Sequence, residues 1–274
     1  MFKTILIACV CVCLTAGALL AQDEVVAARK TLQTYEKGVI TLSAVLKFEV
    51  QGVGVSIPSQ ERKTQCIAVI IDPDGLAVTS LKNLNPQVRA QAGSRRIEIE
   101  SQVQEVKYRL ADGTEVPARV VLKDEDLDLA FLAPLDPLDE QTKSKIAVIP
   151  LDDAAQQAEA LDETIMIGRA DDDLNYVPTI QLGRIMATIS QPRTCYLNSL
   201  GTLGAPVFDR QGKLLGIVCR CVKDEGDSEN VIRLQPTPSH LILPAADVAR
   251  LVPQAKEEIG KDADNEKKSD AEDQ

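Results

Sequence analysis

Two groups of short β-branched or alternating runs, each closed off by turn residues, set the tightest limit on how this chain folds. The first group comprises residues 39–46, 66–71, 76–79, 97–110, 116–122 and 129–132, and the second comprises 147–149, 164–167, 180–189, 206–208, 213–221 and 241–243. Turn signals such as Asp72-Pro73-Asp74-Gly75 and Ala111-Asp112-Gly113 separate the runs, because Gly admits positive φ and Asp caps its own turn. Between the groups, residues 134–144 form a proline-broken polar linker. Helical patterns do not alternate with the strands, which argues against β–α units and for two antiparallel barrels or sandwiches. A short helix is expected over residues 22–35, ended by Gly38, and a last helix over 245–259, where Val248, Leu251 and Val252 share a face. Residues 260–274 are charged and nearly free of large apolar side chains, so they are expected to be a disordered acidic tail.

The first residues bear on compartment. Met1-Phe2-Lys3 is a short positive start, and residues 5–14 are an apolar run of signal-peptide length, too short to span a bilayer. Small residues follow at Ala16, Gly17, Ala18 and Ala21, placing the expected cleavage after Ala21. The expected divisions are therefore a signal peptide at 1–21, a helix and first β unit at 22–145, a second β unit and helix at 146–259, and the tail. The chain is expected to be exported, periplasmic or extracellular, with no membrane span once processed. Leu6-Ile7-Ala8-Cys9 has the look of a lipoprotein box, but too short an apolar core precedes its Cys to favour lipidation. Cys9, Cys11 and Cys13 leave with the signal, so Cys66, Cys195, Cys219 and Cys221 remain. An even number in an exported chain permits disulfides without requiring them.

Composition removes several function classes. Acidic residues outnumber basic ones 41 to 30, giving a net charge of −11, and no basic block or aromatic platform offers a nucleic-acid surface. One His, His240, with no Cys-x-x-Cys pair or His/carboxylate cluster at ligand spacing, supplies too few ligands for a catalytic zinc site. No metal or cofactor is expected. A hydrolase that needs a His base must use His240 or do without one.

Four segments, in order, are similar to trypsin-like serine proteases, most closely the HtrA/Deg branch. Residues 70–79, Ile-Ile-Asp-Pro-Asp-Gly-Leu-Ala-Val-Thr, resemble the hairpin that leads into the general base. Leu110-Ala111-Asp112-Gly113-Thr114-Glu115, followed by Asp126-Leu127-Asp128-Leu129-Ala130-Phe131-Leu132, resembles the stretch that carries the triad carboxylate. Gly201-Thr202-Leu203-Gly204-Ala205-Pro206-Val207-Phe208, with the strand from Gly212 to Val218, resembles the Gly-Asn-Ser-Gly-Gly-Pro nucleophile loop and the strand behind it. Leu241-Ile242-Leu243-Pro244 and residues 248–253 resemble the family's last strand and helix. The resemblance covers roughly residues 39–254 and implies an all-β fold of two antiparallel six-stranded β-barrels, with a short N-terminal and a C-terminal helix.

The chemistry departs from that pattern. By the resemblance, Lys82 stands at the base position, Leu203 at the nucleophile position, and Asp128 is the triad member that remains. The hydroxyl attacks, the imidazole takes its proton and the carboxylate orients the imidazole; Leu has no lone pair with which to attack. Losing the nucleophile or base alone costs on the order of 10⁶ in turnover in such enzymes. A Lys can serve as base only with a lowered pKa, whereas a neighbouring Asp128 would favour the ammonium. The expectation is an inactive protease homologue in which Lys82 and Asp128 form an ion pair. Cys195 falls near the base of the family's specificity pocket, and Cys219 and Cys221, with Arg220 between them, fall on the strand that pairs with substrate backbone. With Gly201 in the nucleophile loop, these are the expected peptide-binding positions. A disulfide from Cys195 to Cys219 or Cys221 would staple the pocket.

Three functions stay open at this point. One is non-catalytic binding of an unidentified peptide or protein segment by β-addition. A second is an active endopeptidase, either trypsin-like or using Lys82 with a hydroxyl such as Thr202. The third is a structural envelope protein whose cleft has collapsed, with Leu203 burial contributing up to about 2–3 kcal/mol. Gly201, Gly204 and Gly216 favour a preserved loop, and Leu203 favours collapse.

Overall fold

The computed structural model describes residues 23–51, 59–86, 88–92, 95–155, 157–220 and 240–272. Helix α1 covers 23–35. Seven strands follow: β1 Val39–Gln51, β2 Gln60–Ile70, β3 Ala77–Ser80, β4 Val88–Ala92, β5 Arg95–Arg109, β6 Glu115–Asp124 and β7 Leu129–Pro134. Their order is β1-β2-β3-β7-β6-β5-β4, and pairing of β1 with β5 closes six of them into a barrel with β4 appended to β5. Helix α2, Glu140–Lys143, occupies the linker. The second barrel is built from β8 Glu163–Arg169, β9 Pro178–Ile189, β10 Cys195–Asn198, β11 Pro206–Phe208, β12 Leu214–Cys219 and β13 Leu241–Pro244. It closes in the order β10-β13-β12-β11-β8-β9, and α3, Ala245–Glu272, ends the described chain.

Strand alternation explains how two barrels share one seam. Side chains of successive strand residues point to opposite faces. In β2, Ala68 and Ile70 enter the interior of the first barrel, while Ile67 and Val69 join the core that is continuous with the second. In β7, Ala130 and Leu132 face the first interior, and Leu129 and Phe131 face the seam. β3 divides likewise between Ala77 and Val78. Strands buried on both faces read as continuous apolar runs, which is how 66–71 and 129–132 read.

The structure departs from the sequence-based reading at several elements. Residues 147–149 form no strand; Ile149 is fully buried and its amide donates a single 2.9 Å bond to the Ile70 carbonyl at the end of β2. The sixth strand of the second barrel is instead the four-residue β10, too short to carry a periodic signal. The linker contains α2, capped by Asp139, whose carboxylate accepts from the Thr142 amide at 2.7 Å. The last helix does not stop at Ile259 but runs to Glu272, so the expected disordered tail is helical over that stretch. Lys261 pairs there with Glu257 at 3.0 Å and Glu258 at 2.9 Å, contacts at i,i+4 and i,i+3 spacing that support a helix. Among the described residues, no helix is long and apolar enough to cross a membrane.

Helix α1 precedes the first barrel yet docks on the second. Tyr35 stacks on Phe208 of β11 with ring centroids 5.1 Å apart and planes 8° apart. Arg169 of β8 donates from Nε to the Val39 carbonyl at 2.8 Å and from its terminal nitrogen to the Glu36 carbonyl, so one guanidinium fixes the helix-to-strand junction. Truncating Tyr35→Ala removes a half-buried aromatic and its stacking partner, and is expected to cost about 2–4 kcal/mol in urea denaturation.

Candidate functional site

The turn before β7 aims Asp128 inward. Leu127 donates its amide to the Asp124 carboxylate at 2.7 Å, and Asp128 follows with φ +57°, a left-handed conformation that Asp adopts more readily than most residues. The side chain is only 3% exposed. Ser80 Oγ, at the end of β3, donates to Oδ2 at 2.5 Å; the Lys82 main-chain amide donates to Oδ1 at 2.9 Å; and the Arg220 main-chain amide donates to Oδ2 at 2.6 Å. The Asp128 carbonyl accepts from the Leu81 amide at 2.9 Å. Burial nevertheless raises the Asp128 pKa above its ordinary value, against the opposing pull of the Ser80, Arg220 and Lys82 hydrogen bonds and the Lys82 charge.

The expected Lys82–Asp128 ion pair is not formed. Lys82 reaches the carboxylate through its amide, because the short 3₁₀ turn Leu81–Asn83 presents its first N–H groups to Asp128. The Lys82 ammonium makes no hydrogen bond or ion pair with any described residue and feels Asp128 only through space.

Leu203 lies on a tight loop held from both barrels. The Ala205 amide donates to the Thr202 carbonyl at 3.1 Å, and the Gly204 amide donates to the Val218 carbonyl of β12 at 2.8 Å. From the first barrel, Asn83 Nδ2 donates to the Leu203 carbonyl at 3.1 Å and to Thr79 Oγ1 at 3.0 Å. Gly204 has φ +82°, and a Cβ there would stand 2.3 Å from the Ile67 carbonyl oxygen and 2.5 Å from Thr79 Oγ1. Only Gly fits that approach. Leu203 itself is half-buried against the core shared with the second barrel.

The remaining site residues divide between those gathered here and those outside. Gly201 abuts His240, whose Cβ would lie 3.1 Å from a Cβ on the glycine; the single His thus sits beside the loop. Arg220 contributes its amide to Asp128. Cys195 and Cys219 are buried on β10 and β12, with β13 between them. Strands once removed lie roughly 10 Å apart, beyond the about 4.4–6.8 Å Cα separation that a disulfide spans. The Cys195–Cys219 staple is accordingly not made. Burial, then the charges of Asp128 and Cys195, push the Cys219 thiol up, and burial pushes Cys66 up to about 12. Cys221 lies outside the described residues. Asp171, Asp172 and Asp173 converge closely enough to hold a cation, but all three are exposed and none belongs to this site.

Two cavities lie elsewhere. One of about 560 Å³ is bounded by Asp72, Leu76, Arg119, Leu138 and Lys256, and one of about 370 Å³ by Leu161, Glu163, Arg184 and Arg210. Sequence reasoning missed Ser80 and Asn83. A hydroxyl at the inward end of β3 and an amide one residue past Lys82 carry no motif of their own; only pairing of β3 with β7, Ser80 opposite Leu129, brings Ser80 to Asp128.

A buried carboxylate between two six-stranded antiparallel barrels, beside a glycine-bearing loop, defines a domain of the trypsin-like protease class. The sequence agrees: residues 66–217 match the trypsin-like peptidase domain, and the chain belongs to that family. Among solved structures, the fold is similar to an HtrA-type protease, AlgW, determined with a decapeptide, at a TM-score of 0.57 and 17% identity over 85% of this chain and 67% of that one. No curated protein sequence matches.

Two variants test the carboxylate. Asp128→Ala leaves the Ser80, Lys82 and Arg220 donors unmatched and is expected to cost about 2–4 kcal/mol of stability by urea denaturation. Asp128→Asn separates out the titration. A carboxyl whose folded pKa is raised holds its proton more tightly when folded, so its ionisation opposes folding above the folded pKa and ceases to do so below the unfolded one. The wild type should therefore gain stability relative to Asp128→Asn as pH falls from 7 to 4; a loss would contradict the raised pKa.

Proposed function

We propose that this chain is an exported, catalytically inactive trypsin-like protease domain that binds peptide or protein segments. The observation that carries the reading is that Asp128 has no base to orient: its oxygens accept from Ser80 and two main-chain amides, while the Lys82 ammonium is not bonded to it. At the nucleophile position Leu203 offers apolar contact and no attacking atom. The alternative of Lys82 as base to Thr202 is disfavoured, because among the described residues the Lys82 ammonium makes no hydrogen bond to that hydroxyl and only its main-chain amide is bonded within the site.

Peptide binding does not need a triad. An extended segment pairs with strand backbone by β-addition, and the end of β12 at Cys219 and Arg220 is the edge that the family resemblance assigns to this. The HtrA-type neighbour was solved with a decapeptide, which supports peptide as the ligand class. The apolar run at residues 5–14 behind Lys3 supports export.

The reading is tested by incubating purified residues 22–274 with casein, beside Lys82→Ala. No cleavage above buffer is expected from either protein. Cleavage by the wild type that disappears in Lys82→Ala would overturn the reading in favour of a lysine-dependent peptidase. A second variant, Lys82→His with Leu203→Ser, asks whether the cleft still accepts a triad. Weak activity at best is expected, since the Asp128 oxygens already accept from Ser80 and from the Lys82 and Arg220 amides, so an imidazole would have to compete with bonds that hold the seam.

A further inference from the structure

We infer that two copies of this chain associate through the outward face of β9 about a two-fold axis, with the Glu163–Arg184 pair of one copy set against the same pair of the other. The inference starts from where apolar surface is left bare. Among the described residues nine large apolar side chains are exposed, and six of them fall between residues 161 and 186. Scattered singly such residues need no explanation, but a contiguous patch marks an interaction surface.

Strand register makes part of this group contiguous. In the β8–β9 ladder Glu163 stands opposite Arg184, Ile165 opposite Leu182 and Ile167 opposite Ile180, and residues directly opposite project on the same side of a sheet. That side is the outside of the second barrel, because Ile165 also pairs with Phe208, the residue on which Tyr35 of α1 stacks. The β8 half of the ladder is covered, Ile165 being 2% exposed, whereas the β9 half is bare, with Ile180 at 36% and Leu182 at 41%. Met186, one residue past the fully buried Ile185, continues the stripe at 60%. From Ile180 to Met186 the stripe is roughly 20 Å long.

The charges within the stripe select its occupant. Arg184 donates to the Glu163 carboxylate at 3.1 Å and to the Leu161 carbonyl at 3.0 Å, so its guanidinium is held in place and burying it sacrifices little side-chain freedom. One positive and one negative group stand side by side. A strongly acidic or strongly basic partner would set one of them against its own sign, whereas a second copy turned about a two-fold axis sets each Arg184 against the other copy's Glu163. The net charge of −11 does not forbid this, since charges beyond roughly 8 Å are screened at physiological ionic strength. So narrow a surface gives a weak, concentration-dependent dimer.

The experiment is sedimentation velocity of purified residues 22–274 from about 2 to 200 µM, the range over which a small interface passes from monomer to dimer. The weight-average mass of the wild type should rise toward twice that of the monomer. Met186→Glu should weaken association at least about tenfold, because its carboxylate would lose water on docking, and should leave the thermal melt unchanged. Arg184→Glu alone and Glu163→Arg alone should each lose the dimer, facing like with like across the axis. An equimolar mixture of these two, each confirmed as folded by circular dichroism, should recover it, because every pair across the axis is then of opposite sign. A wild type that stays monomeric over the whole range would overturn the inference, as would a dimer that persists in Met186→Glu. Folded reversals that stay monomeric on mixing would overturn the two-fold register and the inference with it.

Discussion

One buried carboxylate holds the centre of this molecule together. Withdrawing a carboxylate from water costs several kcal/mol unless its oxygens are satisfied, and here the donors come from both barrels: Ser80 and Lys82 from the first, Arg220 from the second. Asp128 is therefore well placed only when the barrels are docked. Its main-chain conformation is part of the same arrangement, because φ +57° turns the side chain off the line of β7 while the Leu81 amide holds its carbonyl. Gly204 is the matching constraint on the other side of the seam. Its lack of a Cβ lets the 201–205 loop press against the Ile67 carbonyl, which brings Leu203 to within reach of Asn83.

How much of this was legible in the sequence follows from the range of each interaction. Strands with long buried or alternating runs announce themselves: β1, β5, β6, β7 and β9 all overlap the runs read from the residues. β10 does not, because four residues give no periodicity to detect and its place is decided by β9 and β13 on either side. Residues 147–149 have the residue types of a strand but bury Ile149 through one bond to Ile70, an outcome set by the neighbouring barrel. The helix past Ile259 is likewise a matter of context: acidic composition suggests disorder, whereas continuation from a docked helix removes the nucleation cost.

The site was legible in its positions and not in its bonds. Spacing from the family's motifs located Lys82, Asp128 and Leu203 together, and the structure brings their loops into contact. The pairing of Lys82 with Asp128 was an inference from opposite charge, and it is not what forms: Lys82 reaches Oδ1 through its main-chain amide. The cysteine staple was an inference from proximity in a cleft; its Cys195–Cys219 form fails because β13 intervenes between the two strands, and Cys221 lies outside the described residues. Both failures concern sub-ångström to few-ångström geometry that motif spacing does not encode.

Keeping the carboxylate carries no information about keeping the reaction. In an active triad the carboxylate orients and charges an imidazole, so its presence invites the conclusion that catalysis is intact. Here every bond Asp128 makes would be needed by a protein that never cleaved a peptide, since removing it leaves three donors stranded at the seam. A residue with both a structural and a catalytic use is held by whichever demand persists, while a position with only a chemical use is held by chemistry alone. Around Leu203 and Lys82 the backbone is fixed without the side-chain chemistry: the loop around Leu203 by Gly204 and Asn83, and the turn around Lys82 by its amide. Fold membership therefore constrains the backbone of this site closely and its side-chain chemistry hardly at all.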